Sequence, residues 1–340
     1  MTEYVWGIDI GGTKIRIGKV DVDNGEVVEL KTLPMDSVHT NETLTKLVSQ
    51  ELEEKCKVGI ASAGVIDEEN LTIKYSPNFN IKKEITLARD LKEMGHEVTI
   101  TNDMRAAVQA AAKYGEGVGY ENVAVATYST GFNAAVVRNG VNVTSAEIGH
   151  MIYDPNSSLF CGCGARGHLE IFVSGNGAAC MAKQYFLITK EFNHPIIHKT
   201  LEEYNENAKK KDKPFYEIKD LRKKEIFAEI VASITAKHIY SAYREEPEKE
   251  PQRYIREVQV KAIADSFAKI VSVWNPIDII VCMGSQTKDK EILFDPAIER
   301  YYKEIDRGQM PTLKKPKIVI TKLHEIGVLG AAAYFMSKNK

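Results

Sequence analysis

The stretch from Glu147 to Glu170, EIGHMIYDPNSSLFCGCGARGHLE, gathers two carboxylates, two histidines and a Cys-x-Cys pair. Thiolates and imidazoles are the donors zinc prefers, and zinc takes four of them tetrahedrally. His150, Cys161, Cys163 and His168 make one complete set, and the glycines at 162, 164 and 167 suit a tight knuckle around an ion. The spacing is not that of a zinc finger, which usually leaves two residues between its cysteines. A loop with free thiols is the alternative. Glu147 and Glu170 bracket the loop and would serve a polar ligand beside it.

Two other places hold chemistry-bearing residues. Asp9-Ile10-Gly11-Gly12-Thr13-Lys14 ends one apolar run and opens the next. Glycines there let backbone N–H groups approach phosphate oxygens; Thr13 adds a hydroxyl, Lys14 a positive charge, and Asp9 could hold hydrated Mg²⁺. A plain turn is the alternative, and the motif is not a Walker loop, which ends Gly-Lys-Ser/Thr into a helix. Asn102-Asp103 sits between EVTIT and an alanine-rich helical pattern. Both types are favoured helix N-caps, and on the residues alone that reading comes first. The functional reading makes Asp103 a general base at a strand's carboxyl end, where α/β ligands collect. The remaining histidines, at 39, 96, 194, 198, 238 and 324, and the scattered Cys56, Cys180 and Cys282, read as surface or core residues.

Strand-like runs at Tyr4–Ile10 and Lys14–Val20 join through the glycine turn, and Asn24-Gly25 makes a hairpin into Glu26–Leu33. A helix follows near Glu42 to Lys55, then strands at Val58–Ala61 and Glu97–Thr101, then a helix at Met104–Tyr114. The layout recurs from Val123: strand, the small turn Ser129-Thr130-Gly131, strand to Arg138, and the Asn139-Gly140 hairpin. Sequence identity between the copies is low, so the repeat is one of architecture. It predicts two related α/β lobes facing each other across a cleft. Residues 177–274 read as mainly helical, and the charge run ENAKKKDKPFYEIKDLRKK within them reads as a solvated face. Ile277–Met283, running into Gly284-Ser285, and Lys317–Ile320 are expected strands, and Gly327–Met336 a closing helix with small residues for close packing.

At 340 residues, 44% hydrophobic and 27% charged, the chain suits a two-lobed globular protein. A net charge of −2 offers no footprint for nucleic acid. No apolar run reaches the ~20 residues of a membrane span, and MTEYVWGIDI enters a strand at once, unlike a signal peptide. Five cysteines argue against a disulfide scaffold. A cytoplasmic protein is expected, with no membrane or nucleic-acid partner.

Taken in order, DIGGTK, SPNFN around Asn78, ITNDMRAA, YSTG, AEIGH, CGCGARGHLE and HEIGVLGAAAY closely resemble the ROK family (repressors, open reading frames and kinases) over essentially the whole chain. Its enzymes are ATP-dependent sugar kinases of the actin and hexokinase superfamily. The resemblance implies two actin-like, ribonuclease H-like α/β lobes with mixed sheets and flanking helices: a smaller lobe of residues 1–115 and 321–340, and a larger one of 116–320. It implies that Asp103 takes the proton from a sugar hydroxyl, most naturally the 6-hydroxyl of glucose, which then attacks the γ-phosphate of ATP. Asn78, Asn102, Glu147, His150 and Glu170 would bind the sugar. Asp9 would position Mg²⁺, Gly11, Gly12, Thr13, Lys14, Thr130 and Gly131 would receive phosphates, and Gly284 would lie near the adenosine. Zinc on His150, Cys161, Cys163 and His168 would be structural, with His150 also facing the sugar. A homodimer is implied as well. Kinases of N-acetylglucosamine or N-acetylmannosamine are the nearest alternative. A sugar-sensing regulator is the other, but the first strand begins near Tyr4, where such a protein carries a helix-turn-helix.

The chain departs from the family pattern at several points. His168 stands for a usual third cysteine, Ser129 and Asn133 for glycines, and Ser285 for the second glycine of the adenosine motif. Arg105, two residues after Asp103, replaces a small or amide residue and would either pair locally or reach toward substrate.

Overall fold

The computed structural model describes residues 2–35, 38–76, 79, 81, 83–143, 147–211, 213–307 and 315–339. β1 (Tyr4–Ile10), β2 (Lys14–Asp21) and β3 (Val27–Pro34) form an antiparallel meander. Next come α1 (Asn41–Ser49), β4 (Lys57–Ser62), a small hairpin of β5 (Val65–Asp67) and β6 (Thr72–Tyr75), α2 (Leu87–Glu93), β7 (Glu97–Asn102) and α3 (Asp103–Tyr114). The plan then repeats with β8 (Asn122–Tyr128), β9 (Phe132–Arg138) and β10 (Val141–Asn142). A long helical stretch follows: α4 (Leu169–Val173), α5 (Gly175–Thr189), α6 (Pro195–Lys211), α7 (Lys224–Ala232), α8 (Ala236–Glu245) and α9 (Gln252–Trp274). β11 (Ile279–Met283), α10 (Asp295–Arg307), β12 (Lys317–Ile320) and α11 (Ile326–Lys338) complete the chain.

The two five-stranded sheets have orders β3-β2-β1-β4-β7 and β10-β9-β8-β11-β12, the same order position for position. In each, the first strand pairs antiparallel with the second and parallel with the fourth, which pairs parallel with the fifth. This is the duplicated α/β architecture that the paired Asn-Gly hairpins predict. Asn24-Gly25 and Asn139-Gly140 both turn with glycine in the left-handed region. The expected helix over 42–55 is shorter, ending at Ser49, with Gln50 capping its last turn. The hairpin β5–β6 and helix α2 were not expected, because each is too short for a clear periodic signal; α10 was not expected either, although Ile298, Tyr301 and Tyr302 form an apolar face at helical spacing.

Period-two alternation decides which face of β1 each residue serves. Trp6, Ile8 and Ile10 pack with Val58, Ile60, Leu44, Val48, Leu87 and Leu91, under α1 and α2. Val5, Gly7 and Asp9 face the other way, toward α11. Gly7 and Gly59 lie side by side on β1 and β4, and a Cβ on Gly59 would stand 2.0 Å from the Ala331 carbonyl oxygen. With no side chain between them, helix backbone rests directly on sheet backbone. Ala61, Ala106 and Ala331, all fully buried, continue the contact into α3. The opposite face of α3 presents Met104, Ala107, Val108 and Ala111 to Val123, Val125, Ile279 and Val281 of the second sheet. Hence α11 and α3 are sandwiched between the two sheets, and α4, α5 and α9 cover the outer face of the second.

The lysines at the end of α6 are solvent-exposed, as a solvated charge run requires. Among the described residues, no helix is long and apolar enough to cross a membrane.

Gly59→Val forces α11 off the sheet. It should lower the free energy of unfolding by about 3 kcal/mol or more, the upper range for overpacking in a rigid core. Urea denaturation measures this, and a loss under about 0.5 kcal/mol would contradict the packing described.

Candidate active site

Asp9 ends β1 on the face covered by α11, and its carboxyl lies against Gly327, where an added Cβ would come within 2.5 Å of it. Burial and the nearby charge of Asp103 push the Asp9 carboxyl up to about 6, while Arg16 and Lys14 oppose the rise. Arg16 is held by Glu325 at 3.2 Å. The turn after Asp9 closes through Gly11 N–H donating to the Lys14 carbonyl at 3.0 Å. Gly12, Thr13 and Lys14 stand exposed there, open to an anion.

Asp103 begins α3 at the carboxyl end of β7. β1 and β7 flank β4 with their ends level, so Asp9 and Asp103 stand two strands apart, about 10 Å between backbones. The Met104 N–H is shared by the side chains of Asn102 and Asp103, both at 2.9 Å. Asn102 is thus the helix cap, as its residue type suggests, and Asp103 keeps its outer oxygen clear of that bond. Burial raises the Asp103 carboxyl, the Met104 N–H moderates the rise, and the charge of Glu147 adds to it. Glu147 follows the second meander, so that influence brings the two halves of the chain to one place.

Glu147 accepts from the Asn133 amide at 3.1 Å, which explains what this chain does with an amide where a glycine is usual. Glu170 accepts from the Phe132 N–H at 3.1 Å and from the Cys161 thiol at 3.2 Å. It also lies against Gly131, next to the Ser129–Gly131 turn. Asn78 lies outside the described residues.

Next to Glu170, ligand atoms of His150, Cys161, Cys163 and His168 all fall within 4.8 Å of one another. The His150 and His168 Nδ1 atoms are 3.3 Å apart. Cys161 Sγ lies 3.6 Å from His150 Nδ1, and Cys163 Sγ 3.3 Å from His168 Nδ1. Around zinc at its usual bond lengths, tetrahedral edges are about 3.3 Å between nitrogens and about 3.6 Å between nitrogen and sulfur. The His150–His168 and His150–Cys161 separations match those edges and the Cys163–His168 one is shorter, so the donor set can close around the ion. Burial, chiefly, pushes the Cys161 thiol up to about 12.

On the far side of the Ser129–Gly131 turn lies a cavity of about 1120 Å³, lined among others by Ser129, Thr130, Gly175, Lys183, Arg244 and Ser285. Gly284 immediately precedes Ser285 of this lining. It has φ of 105° and lies so close to the Tyr128 carbonyl that a Cβ would be 2.4 Å from that oxygen, so only glycine fits. The N-terminus of α5 enters the same cavity: Gly175 N–H donates to the Ser129 carbonyl at 2.8 Å. The partial positive charge of a helix N-terminus favours anions. The sequence places the helical stretch from Gly177, two residues inside the observed start at Gly175, and gives this N-terminus no part in the site. Ser174 caps α5 by accepting from Gly177 at 3.1 Å. Lys183 and Arg244 gave no local signal. Arg105 does not reach toward substrate; it pairs with Glu68 at 2.5 Å.

Twin sheets of this order, with acidic groups at the strand ends of the first and a cavity beside the small turn of the second, define a two-lobed protein of the actin-like class. Within that class the assignment is specific: the sequence model of the ROK family matches residues 5–338, and the chain belongs to that family. It is 28% identical to a glucokinase of Thermotoga maritima over 96% of this chain and 95% of that one. It is 31% identical to an N-acetylmannosamine kinase of Vibrio vulnificus over 54% of this chain and 65% of that one. The fold superposes on a ROK family glucokinase of Streptomyces griseus, solved with glucose and AMPPNP, with a TM-score of 0.70 at 23% identity, covering 97% and 98% of the two chains.

Because its folded value lies above the ordinary 3.8, Asp9 holds a proton between about pH 4 and pH 6 that the unfolded chain has lost. Its stability contribution therefore falls as pH rises through that window and stays lost at neutral pH. Asp9→Asn should raise the melting temperature of the unliganded chain more at pH 7.5 than at pH 4. Equal gains at both values by differential scanning fluorimetry would refute the assigned burial.

Proposed function

We propose that the chain transfers the γ-phosphate of ATP to the 6-hydroxyl of a hexose, with glucose as the substrate. The observation that carries this reading is the pair Asp9 and Asp103, two carboxylates raised by burial at the carboxyl ends of parallel strands. The glucokinases among its relatives support the same chemistry.

In the proposed reaction Asp103 is the general base. Its outer oxygen takes the hydroxyl proton as the sugar oxygen attacks phosphorus in line and ADP leaves. A carboxyl raised above its ordinary value is a better proton acceptor, provided it is ionised at the working pH. Asn102, Glu147, His150 and Glu170 bind the other hydroxyls, and Asn78 is proposed to join them. Asp9 would hold a hydrated Mg²⁺, which supplies charge neutralisation at the phosphates. The Gly11–Lys14 turn and the Thr130-Gly131 turn receive the phosphates, Lys14 with its charge and α5 with its N-terminus, and the base lies near Gly284. Alignment and charge neutralisation supply most of the catalysis in phosphoryl transfer.

His150, Cys161, Cys163 and His168 would hold zinc, which orders the loop and fixes the His150 ring with Nε2 left for the sugar. As a zinc ligand Cys161 would be a thiolate, and the Glu170 oxygen that now accepts from its thiol would then be free to accept from a hydroxyl.

Asp103→Asn should lower kcat by about 10²–10⁴-fold, the usual contribution of a general base, with the sugar Kd changed less than about threefold. A coupled ADP-release assay and calorimetry read the two quantities, and activity within tenfold of the parent would remove Asp103 from this role. The match to N-acetylmannosamine kinases supports a second reading, an N-acetylated amino-sugar kinase. A panel of glucose, mannose, N-acetylglucosamine and N-acetylmannosamine separates the two by kcat/KM. For the metal, elemental analysis should find about one zinc per chain, lost in Cys161→Ser and reduced in His168→Ala. An undiminished zinc content in both variants would place the ion elsewhere.

A further inference from the structure

We infer that Glu68 is a positioning residue for phosphoryl transfer, holding the helix that begins with Asp103 in fixed relation to the helix that abuts Asp9. The inference rests on the function proposed above.

Glu68 lies in the turn between β5 and β6, remote in sequence from every residue it binds. One carboxylate oxygen accepts from Arg105 Nη1 at 2.5 Å and from the Thr101 hydroxyl at 3.0 Å. The other accepts from the Tyr334 hydroxyl at 2.6 Å, with Lys338 Nζ at 3.5 Å. So one carboxylate joins β7, α3, α11 and the β5–β6 hairpin. Thr101 is fully buried and Tyr334 nearly so, while Glu68 and Arg105 retain about a quarter of their exposure. An exposed ion pair is worth little; a charge-assisted network at this depth is stronger, and losing one member leaves the others unsatisfied. The Arg105 guanidinium also sits 5.7 Å from the centre of the Tyr334 ring, which fixes its plane.

The hairpin that carries Glu68 is itself anchored. Asn70 donates to Asp67 at 2.8 Å and its carbonyl accepts from Arg89 of α2 at 3.2 Å. Glu84 accepts from Thr72 and Lys74 of β6, both at 2.6 Å. Glu68 therefore transmits the position of a braced element and is not a free side chain that follows its partners. Arg105 is two residues from Asp103, about 3 Å along the helix axis, so a shift of its guanidinium moves the first turn of α3. On α11, Tyr334 is about 10 Å along the axis from Gly327, the residue against Asp9. The bond network thus spans the two elements whose relative placement sets the distance between the proposed base and the proposed cation site. A 1 Å misplacement of a reacting group can cost about a hundredfold in rate.

Glu68→Gln and Arg105→Met, alone and together, test this on the full chain, with kcat and the KM values for glucose and ATP measured and folding followed by thermal melting. The expected result is a kcat reduced tenfold or more in each single variant, KM values within about threefold, and a double variant no worse than the poorer single one, because both cut the same connection. A kcat within twofold of the parent, a loss that appears in KM alone, or effects that multiply would each overturn the inference. If Glu68→Gln does not fold, Arg105→Met alone decides on the same kcat and KM criteria. A parent chain inactive on every hexose would instead defeat the proposed function itself.

Discussion

Contact between the backbone of α11 and the backbone of the first sheet sets the geometry of everything else. Gly7, Gly59 and the alanines around Ala331 leave no side-chain layer between helix and sheet. Asp9 consequently sits beside the helix N-terminus and out of water, and α3 can pack on the other side of α11. Rigid close packing transmits small displacements in place of absorbing them, so the two acidic residues share one frame. The same contact explains why Asp9 is raised so far. A carboxyl forced under a helix loses hydration, and neighbouring cations only partly compensate.

The loop at 147–170 works on a different principle. It has little regular structure, only a short helical turn at Ile148–His150 and the start of α4, and Ile148, Leu159 and Leu169 tie it to the core. Beside that anchorage four donor atoms converge. The His150–His168 and His150–Cys161 separations match tetrahedral edges for zinc, and an imidazole at 168 stands within reach of the other donors where a thiol is usual. The imidazole Nδ1 reaches from a backbone that the isolated bridge between Ile152 and His168 holds in place. Glu170 connects this loop to the phosphate-sized turn through Cys161 on one oxygen and Phe132 on the other. Metal loop and turn are thereby coupled by one side chain.

Much of this was legible in the residues. Period-two alternation, the repeated Asn-Gly hairpins and the small residues of the last helix were sufficient for the duplicated α/β plan. The chemical side chains at 9, 147, 150, 161, 163, 168 and 170 stood out by type and local spacing, whereas Asp103 read first as a helix cap and was singled out by the family resemblance. The rest was hidden because its partners are remote. Glu68 and Tyr334 are separated by most of the chain. No local pattern marked Glu68, and the residues left Arg105 either pairing locally or reaching toward substrate. Short elements such as β5, β6 and α2 were missed because three to seven residues cannot display a period.

The sequence by itself determined the local conformations and the identity of the reactive groups, since glycine, asparagine and alternating apolar residues act through their own backbone preferences and nearest neighbours. Only the tertiary structure decided which groups meet and in what state of ionisation. Charge and desolvation act through space, so the rise of Asp9 and Asp103 and the capture of Arg105 by Glu68 follow from packing the two sheets around α3 and α11.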